Sequence, residues 1–188
     1  MNPFVSLLGT AALVAAPLHP GDAAKRDRYQ KMADGLAWKD SYPVGHSLAA
    51  DLVPDFQLHL VVKHTAGGSQ TRVVIESRDG KQELYAWDEH GQSAFVVCNG
   101  IIYRAEYSGI SSGCAIIAFD LKAGKELWKA TLKGLGPIDH SKYHNRVRME
   151  KVDNTVFAVY GEESAGKYVE LVEYATGRTL GHKVFPKE

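Results

Sequence analysis

The stretch FVVCNGIIYRAEYSGISSGCAIIAFDLKAGKELWKATL (95–132) decides the fold class. It breaks into short runs: SAFVVCNG (93–100), IIYRAEY (101–107), CAIIAFDL (114–121) and ELWKATL (126–132). Valine, isoleucine, tyrosine and phenylalanine dominate them, as half-buried strands require. Asn99-Gly100 sits between the first two runs, a strong hairpin signal, because both residues tolerate the left-handed backbone of a tight turn. Gly124 marks another turn, and no run of helical length lies between the strands. The local reading is an antiparallel meander.

The same pattern extends in both directions. Upstream lie LHLVVKH (58–64), TRVVIESR (71–78) and QELYAWDEHG (82–91). Downstream lie NRVRMEKV (145–152), TVFAVYGE (155–162), YVELVEYA (168–175) and RTLGHKVF (178–185). Asp79-Gly80 adds a hairpin signal. About ten or eleven strands at tight spacing leave an all-β antiparallel fold as the expectation. The chain has 188 residues, 45% hydrophobic and 23% charged, which suits one globular core. Its 22 basic residues equal its 22 acidic ones, so there is no positive surplus for a nucleic-acid backbone, and no nucleic-acid partner is expected.

The N-terminal part reads differently. FVSLLGTAALVAAP (4–17) is apolar, too short to span a bilayer, and has the length of a signal-peptide core, followed by small residues near Ala23-Ala24. The expectation is an exported protein, periplasmic or secreted, with residues 1–23 as its signal peptide and no transmembrane segment after its removal. DAAKRDRYQKMADG (22–35) then predicts a short amphipathic helix over 23–34, with Asp22 near its start, Gly35 as its stop, and Tyr29, Met32 and Leu36 on one stripe. Residues 40–57, with Pro43, Gly45 and Pro54, read as a crossing loop. The only cysteines, Cys98 and Cys114, fall at opposite ends of the meander, about 20 Å apart by strand rise, and so predict two free, buried thiols.

An internal repeat organises the strands. Aligned on Gly124 and Gly177, 53 positions apart, Phe119-Asp120 falls on Val172-Glu173, Leu127 on Leu180, and Trp128 on Gly181. A weaker third copy lies at LYAWDEHGQSAF (84–95), where Trp87-Asp88 takes the place of Phe119-Asp120. Each unit pairs a strand ending in an acid with a glycine turn and a further strand. Trp87 and Trp128 are the expected planar contacts between units.

Residues 95–132 resemble one blade of the quinoprotein-type β-propeller repeat. The matching residues are Ala118-Phe119-Asp120, Ala123-Gly124-Lys125 and Glu126-Leu127-Trp128, with a degenerate copy keeping Thr176-Gly177. The resemblance covers about half the chain and belongs to the blade, not to an activity. It implies about three four-stranded, propeller-like sheets over 58–188 in an incomplete ring, after a helix and crossing loop over 24–57. Trp87, Asp88, Asp120, Gly124, Trp128 and Gly177 are the structural repeat residues.

Several motifs carry weaker chemistry. Gly109-Ile-Ser111-Ser-Gly113 fits the nucleophile pattern of serine hydrolases but lacks the helix that should follow. Gly161 to Lys167 nearly spells a phosphate loop, yet Tyr168 replaces the magnesium-binding hydroxyl and two acids, Glu162 and Glu163, occupy the loop; a hairpin accounts for it better. Asp139, His140 and His144 offer metal-ligand types in one loop. No cofactor is expected. The expected function is non-catalytic binding or scaffolding outside the cytoplasm, with another protein or an envelope component as partner and homo-oligomers as a further option. One alternative is a degenerate quinoprotein-type oxidoreductase fragment, for which the resemblance implies pyrroloquinoline quinone and a metal. A second is a hydrolase built on Ser111 or on His140 and His144.

Overall fold

The computed structural model describes residues 20–38, 56–65, 68–89, 93–107, 114–132, 146–163 and 166–186. One helix, α1 (Pro20–Asp34), precedes eleven strands. It begins with proline, whose missing N–H costs nothing in a first turn, and ends where Gly35 N–H bonds back to Lys31 and Met32. Sheet I contains β1 (Phe56–Thr65), β2 (Gly68–Ser77) and β3 (Glu83–Glu89). Sheet II contains β4 (Ser93–Cys98), β5 (Ile101–Tyr107), β6 (Cys114–Asp120) and β7 (Lys125–Thr131). Sheet III contains β8 (Arg146–Lys151), β9 (Val156–Glu163), β10 (Gly166–Glu173) and β11 (Thr179–Phe185). Within each sheet, chain neighbours pair antiparallel in simple up-and-down order, and no sheet closes on itself. The Asn99-Gly100 turn adopts positive φ at both residues, as that residue pair favours.

The sheets stack face to face. Val73, Ile75 and Trp87 of sheet I meet Phe95, Ile102 and Leu121 of sheet II. Tyr103, Ile116 and Ala118, on the opposite face of sheet II, meet Phe157, Val159 and Val172 of sheet III. The far face of sheet III, with Ala158, Leu171 and Leu180, is covered by Tyr29 and Ala33 of α1. Alternation along each strand lets one sheet contribute to two cores. Sheets II and III come closest along their first strands, β4 beside β8. The predicted stripe of Tyr29, Met32 and Leu36 faces this last core, joined by Ala33.

The three hairpins that end the sheets share one register and one bulge. In sheet II, Phe119 pairs with Glu126 and Ala118 with Trp128, so Leu127 bulges. In sheet III, Val172 pairs with Thr179 and Leu171 with Gly181, so Leu180 bulges. In sheet I, Glu76 pairs with Glu83 and Ile75 with Tyr85, so Leu84 bulges. In sheet I the hairpin with this register is β2–β3, where Tyr85 stands at the position Trp128 takes in sheet II. The copy expected at 84–95 is corrected, because β3 and β4 belong to different sheets. The turn glycine of sheet I lies one place nearer the incoming strand than in the other hairpins, which hides the match from a glycine-based alignment. Sheet I consequently has three strands among the described residues, not four.

Cys98 is a free thiol, half-buried instead of fully buried. It lies at the β4–β5 turn, whereas Cys114 pairs with Tyr107 at the other end of β5, as the strand spacing predicts. The Cys114 side chain lies outside the described residues. The near phosphate loop is a hairpin between Glu163 and Gly166.

Candidate functional site

Of the residues singled out from sequence, Trp128 and Gly177 meet directly. Trp128 projects from the last strand of sheet II and donates from Nε1 to the Tyr174 carbonyl at 3.0 Å. Its ring lies over the turn of sheet III. A Cβ built on Gly177 would fall 2.5 Å from Trp128 Cε3, and the residue sits at φ +71°, so glycine is required twice over. Gly124 makes the same turn: its N–H bonds the Asp120 carbonyl at 2.9 Å, as that of Gly177 bonds Glu173 at 2.9 Å. Yet a Cβ on Gly124 meets nothing within 4 Å, since Tyr85, not an indole, stands at the equivalent place in sheet I. The Tyr85 ring instead stacks on Phe119 at 4.4 Å, and its hydroxyl accepts from Arg104 Nε at 3.3 Å.

The other repeat residues divide by role. Asp120 closes its own turn by accepting from the N–H groups of Lys122 and Ala123, both at 2.9 Å. Trp87 packs edge-on against Phe95, with the Arg104 guanidinium 5.2 Å from its ring centre. Asp88 accepts from Arg72 on the surface at 3.4 Å. Arg148 and Glu150 pair along one face of β8 at 2.7 Å. Ser111, Asp139, His140 and His144 lie outside the described residues. Among the described residues, no three histidine, cysteine or carboxylate side chains gather as metal ligands.

Tyr103, Phe157 and Tyr174 interlock between sheets II and III, with ring centres 4.8 to 5.3 Å apart. Burial, with a smaller push from Cys98, raises the Tyr103 hydroxyl to about 12. Burial raises Tyr174 further, so neither phenol ionises near neutral pH. The Tyr174 hydroxyl is buried without a hydrogen-bond partner among the described residues. An unpaired buried hydroxyl costs stability. Tyr174→Phe is therefore expected to leave urea-unfolding stability unchanged or to raise it by about 1 kcal/mol; a loss above about 2 kcal/mol would show a partner for that oxygen.

The helix is tied to sheet III by polar contacts that no local sequence pattern announces. Lys25 pairs with the buried Glu173, which also accepts from Thr176. Arg178 reaches Asp22 at 3.3 Å. The Gln30 amide donates to the His182 carbonyl at 2.8 Å and accepts from the His182 N–H at 3.1 Å, acting as a stub of extra strand beside β11. Lys183 caps the helix end through the carbonyls of Asp34 and Leu36, at 2.8 and 2.6 Å. Tyr29 donates to Asp153 at 3.0 Å.

Burial is the largest influence on Asp153 and pushes its carboxyl up. The N–H groups of Thr155 and Val156, with Tyr29 and Arg28, outweigh burial and hold it below its ordinary value. Glu173 behaves alike: burial raises it, and Lys25, Thr176 and Arg178 bring it down further. A carboxyl depressed in the folded state stabilises fully above its unfolded pKa and loses that contribution as pH falls through the folded one. Thermal stability should thus fall below about pH 4. Asp153→Asn should melt lower than the parent at pH 7, and the gap should narrow as the pH falls below about 4. Parallel melting curves with a constant gap across that range would contradict this anchoring.

Comparison with protein-family models and with curated proteins finds no match. No helix among the described residues is long and apolar enough to cross a membrane.

Proposed function

We propose that this protein is an exported, non-catalytic binding or scaffold module built from propeller-like sheets. The observation that carries the reading is how the buried charges are used. Arg104 lies against Tyr85 and Trp87, Glu173 joins the helix to the sheet, and Glu170 accepts from Thr179 across the β10–β11 hairpin. Each holds one element to another, which is structural work. The up-and-down antiparallel sheets are compatible with propeller-like folds, and among the described residues none of the three closes on itself. The helix covers the far face of sheet III, as a terminal cap does in repeat proteins.

The test is a tagged full-length chain expressed with its N-terminal segment intact. Processing near residue 23 and recovery outside the cytoplasm are expected. Crosslinking in envelope extract should then give a saturable complex with one partner. Retention in the cytoplasm, or no partner enriched above a tag-only control, would overturn the reading.

A further inference from the structure

We infer that the loosely held Asn99-Gly100 turn is a site of spontaneous deamidation, where Asn99 passes through a cyclic imide to aspartate and isoaspartate, and that the isoaspartate form loosens the packing of sheets I and II. The inference concerns the covalent chain and does not depend on the binding-module reading.

The chain contains one Asn-Gly pair. Two atoms must meet there, the Gly100 nitrogen and Asn99 Cγ. Asn99 is exposed, and its side-chain amide makes no hydrogen bond with any described residue. Among the described residues, the Gly100 N–H donates to nothing, and a Cβ built on Gly100 would meet nothing within 4 Å. Glycine also lacks the side chain that shields the nitrogen in other Asn-X pairs. Asn99 sits at φ 54°, the one non-glycine at positive φ among the described residues. An L side chain is poorly suited to that well, so rotation out of it toward the reacting geometry costs little.

The molecule holds its own comparison. At Asp79-Gly80 an aspartyl side chain could close the same imide with loss of water, but both reacting groups are tied. The Gly80 N–H donates to the Ser77 carbonyl at 2.8 Å. Asp79 Oδ1 accepts from the Ser77 hydroxyl at 2.6 Å and from the Lys81 N–H at 3.2 Å. The Ser77 hydrogen bond, with Lys81, holds this carboxyl below its ordinary value, and a carboxylate is a poor electrophile. Asn154 is the other asparagine among the described residues, and there the following N–H, that of Thr155, is held by Asp153 at 2.7 Å. Of these three turns, that of Asn99 alone leaves both groups loose.

The Gly100 nitrogen bonds to Asn99 Cγ, the Cγ–Nδ2 bond breaks, and ammonia leaves with the amide proton. One water then opens the imide. Attack at Cγ restores the backbone and leaves aspartate, which tolerates a left-handed turn. Attack at the main-chain carbonyl leaves isoaspartate, whose backbone runs through Cβ and is longer by a methylene. Cys98 pairs with Ile101 across this turn, and the Gly100 carbonyl accepts from the Leu121 N–H at 3.0 Å. The lengthened turn cannot keep both contacts. Leu121 is buried with Val73 and Ile75 of sheet I and Ile102 of sheet II, so its lost anchor reaches the core between those sheets.

The test ages the full chain at body temperature across a series from neutral to mildly alkaline pH. Peptide mapping follows, with an aspartate-specific protease that cuts before aspartate and not before isoaspartate. The expected result is conversion of Asn99 at a rate proportional to hydroxide, with Asn154 intact. The separated isoaspartate form should melt about 3 °C or more below the parent, and its Leu121 amide should exchange faster. Asn99→Gly keeps a residue pair suited to the turn and should melt with the parent without ageing. Asp79→Asn adds a second Asn-Gly pair on the bonded turn, and the new amide should convert several-fold more slowly than Asn99. An intact Asn99 under conditions that convert the urea-unfolded chain would show that the turn protects itself. Equal conversion at both Asn-Gly pairs would show that the fold does not select the site. Either result, or an isoaspartate form that melts with the parent, overturns the inference.

Discussion

Trp128→Ala is expected to destabilise the protein by about 3 kcal/mol through the junction of sheets II and III. The ring packs on Tyr103 with centres 5.8 Å apart, lies over Gly177, and anchors Tyr174 through its indole N–H. These contacts bridge the last strand of one sheet to the turn of the next, away from the close approach of β4 and β8. Gly177→Ala should cost about 2–4 kcal/mol, from a side chain at positive φ and from overlap with the indole. The double variant decides between strain and packing. With the indole gone, the alanine has room, so the pair should cost about 1–2 kcal/mol less than the sum. Additive losses in urea titration would show that the ring and the turn are not coupled.

Gly181→Ala acts at the other end of the stack. A Cβ there would lie 2.5 Å from the Tyr29 carbonyl oxygen and 2.8 Å from the Gln30 nitrogen. Both are helix backbone, which cannot swing aside as a side chain can. Gly181 is not at positive φ, so any penalty is steric alone. Overpacking of about 2 kcal/mol should lift α1 from sheet III, raising trypsin cleavage at Arg26, Arg28 and Lys31 roughly thirtyfold while strands stay protected. Unchanged cleavage would mean that the helix re-seats without loss. Gly181 stands where sheet II has Trp128, and among the described residues α1, not another sheet, covers it. Glycine there lets a helix backbone rest directly on the strand.

Much of this architecture is legible in the amino-acid order. The eleven strands follow the period-2 runs because a strand's side-chain alternation is local. The helix stop at Gly35 and the positive φ of Asn99-Gly100 are likewise written in a few adjacent residues. The match of Gly124 to Gly177 is legible as a turn, and the two turns do share their hydrogen bond. That an indole covers one and not the other is not legible, since the covering residue comes from a different sheet. The matching hairpin of sheet I escapes a sequence alignment for a similar reason. Trp87 is the more conspicuous residue, but register places Tyr85 opposite Ile75 and sends β4 to the next sheet.

Secondary structure, the antiparallel pairing of neighbours and the positions of the turns are all set by residues close together in the chain, and so the order of amino acids suffices for them. Which sheet each strand joins and the face of sheet III that α1 covers emerge only on packing. Those outcomes depend on contacts between residues a hundred or more positions apart, such as Tyr29 with Asp153 and Gln30 with His182. A hydrophobic pattern specifies that a face must be buried; only the packed molecule specifies against what.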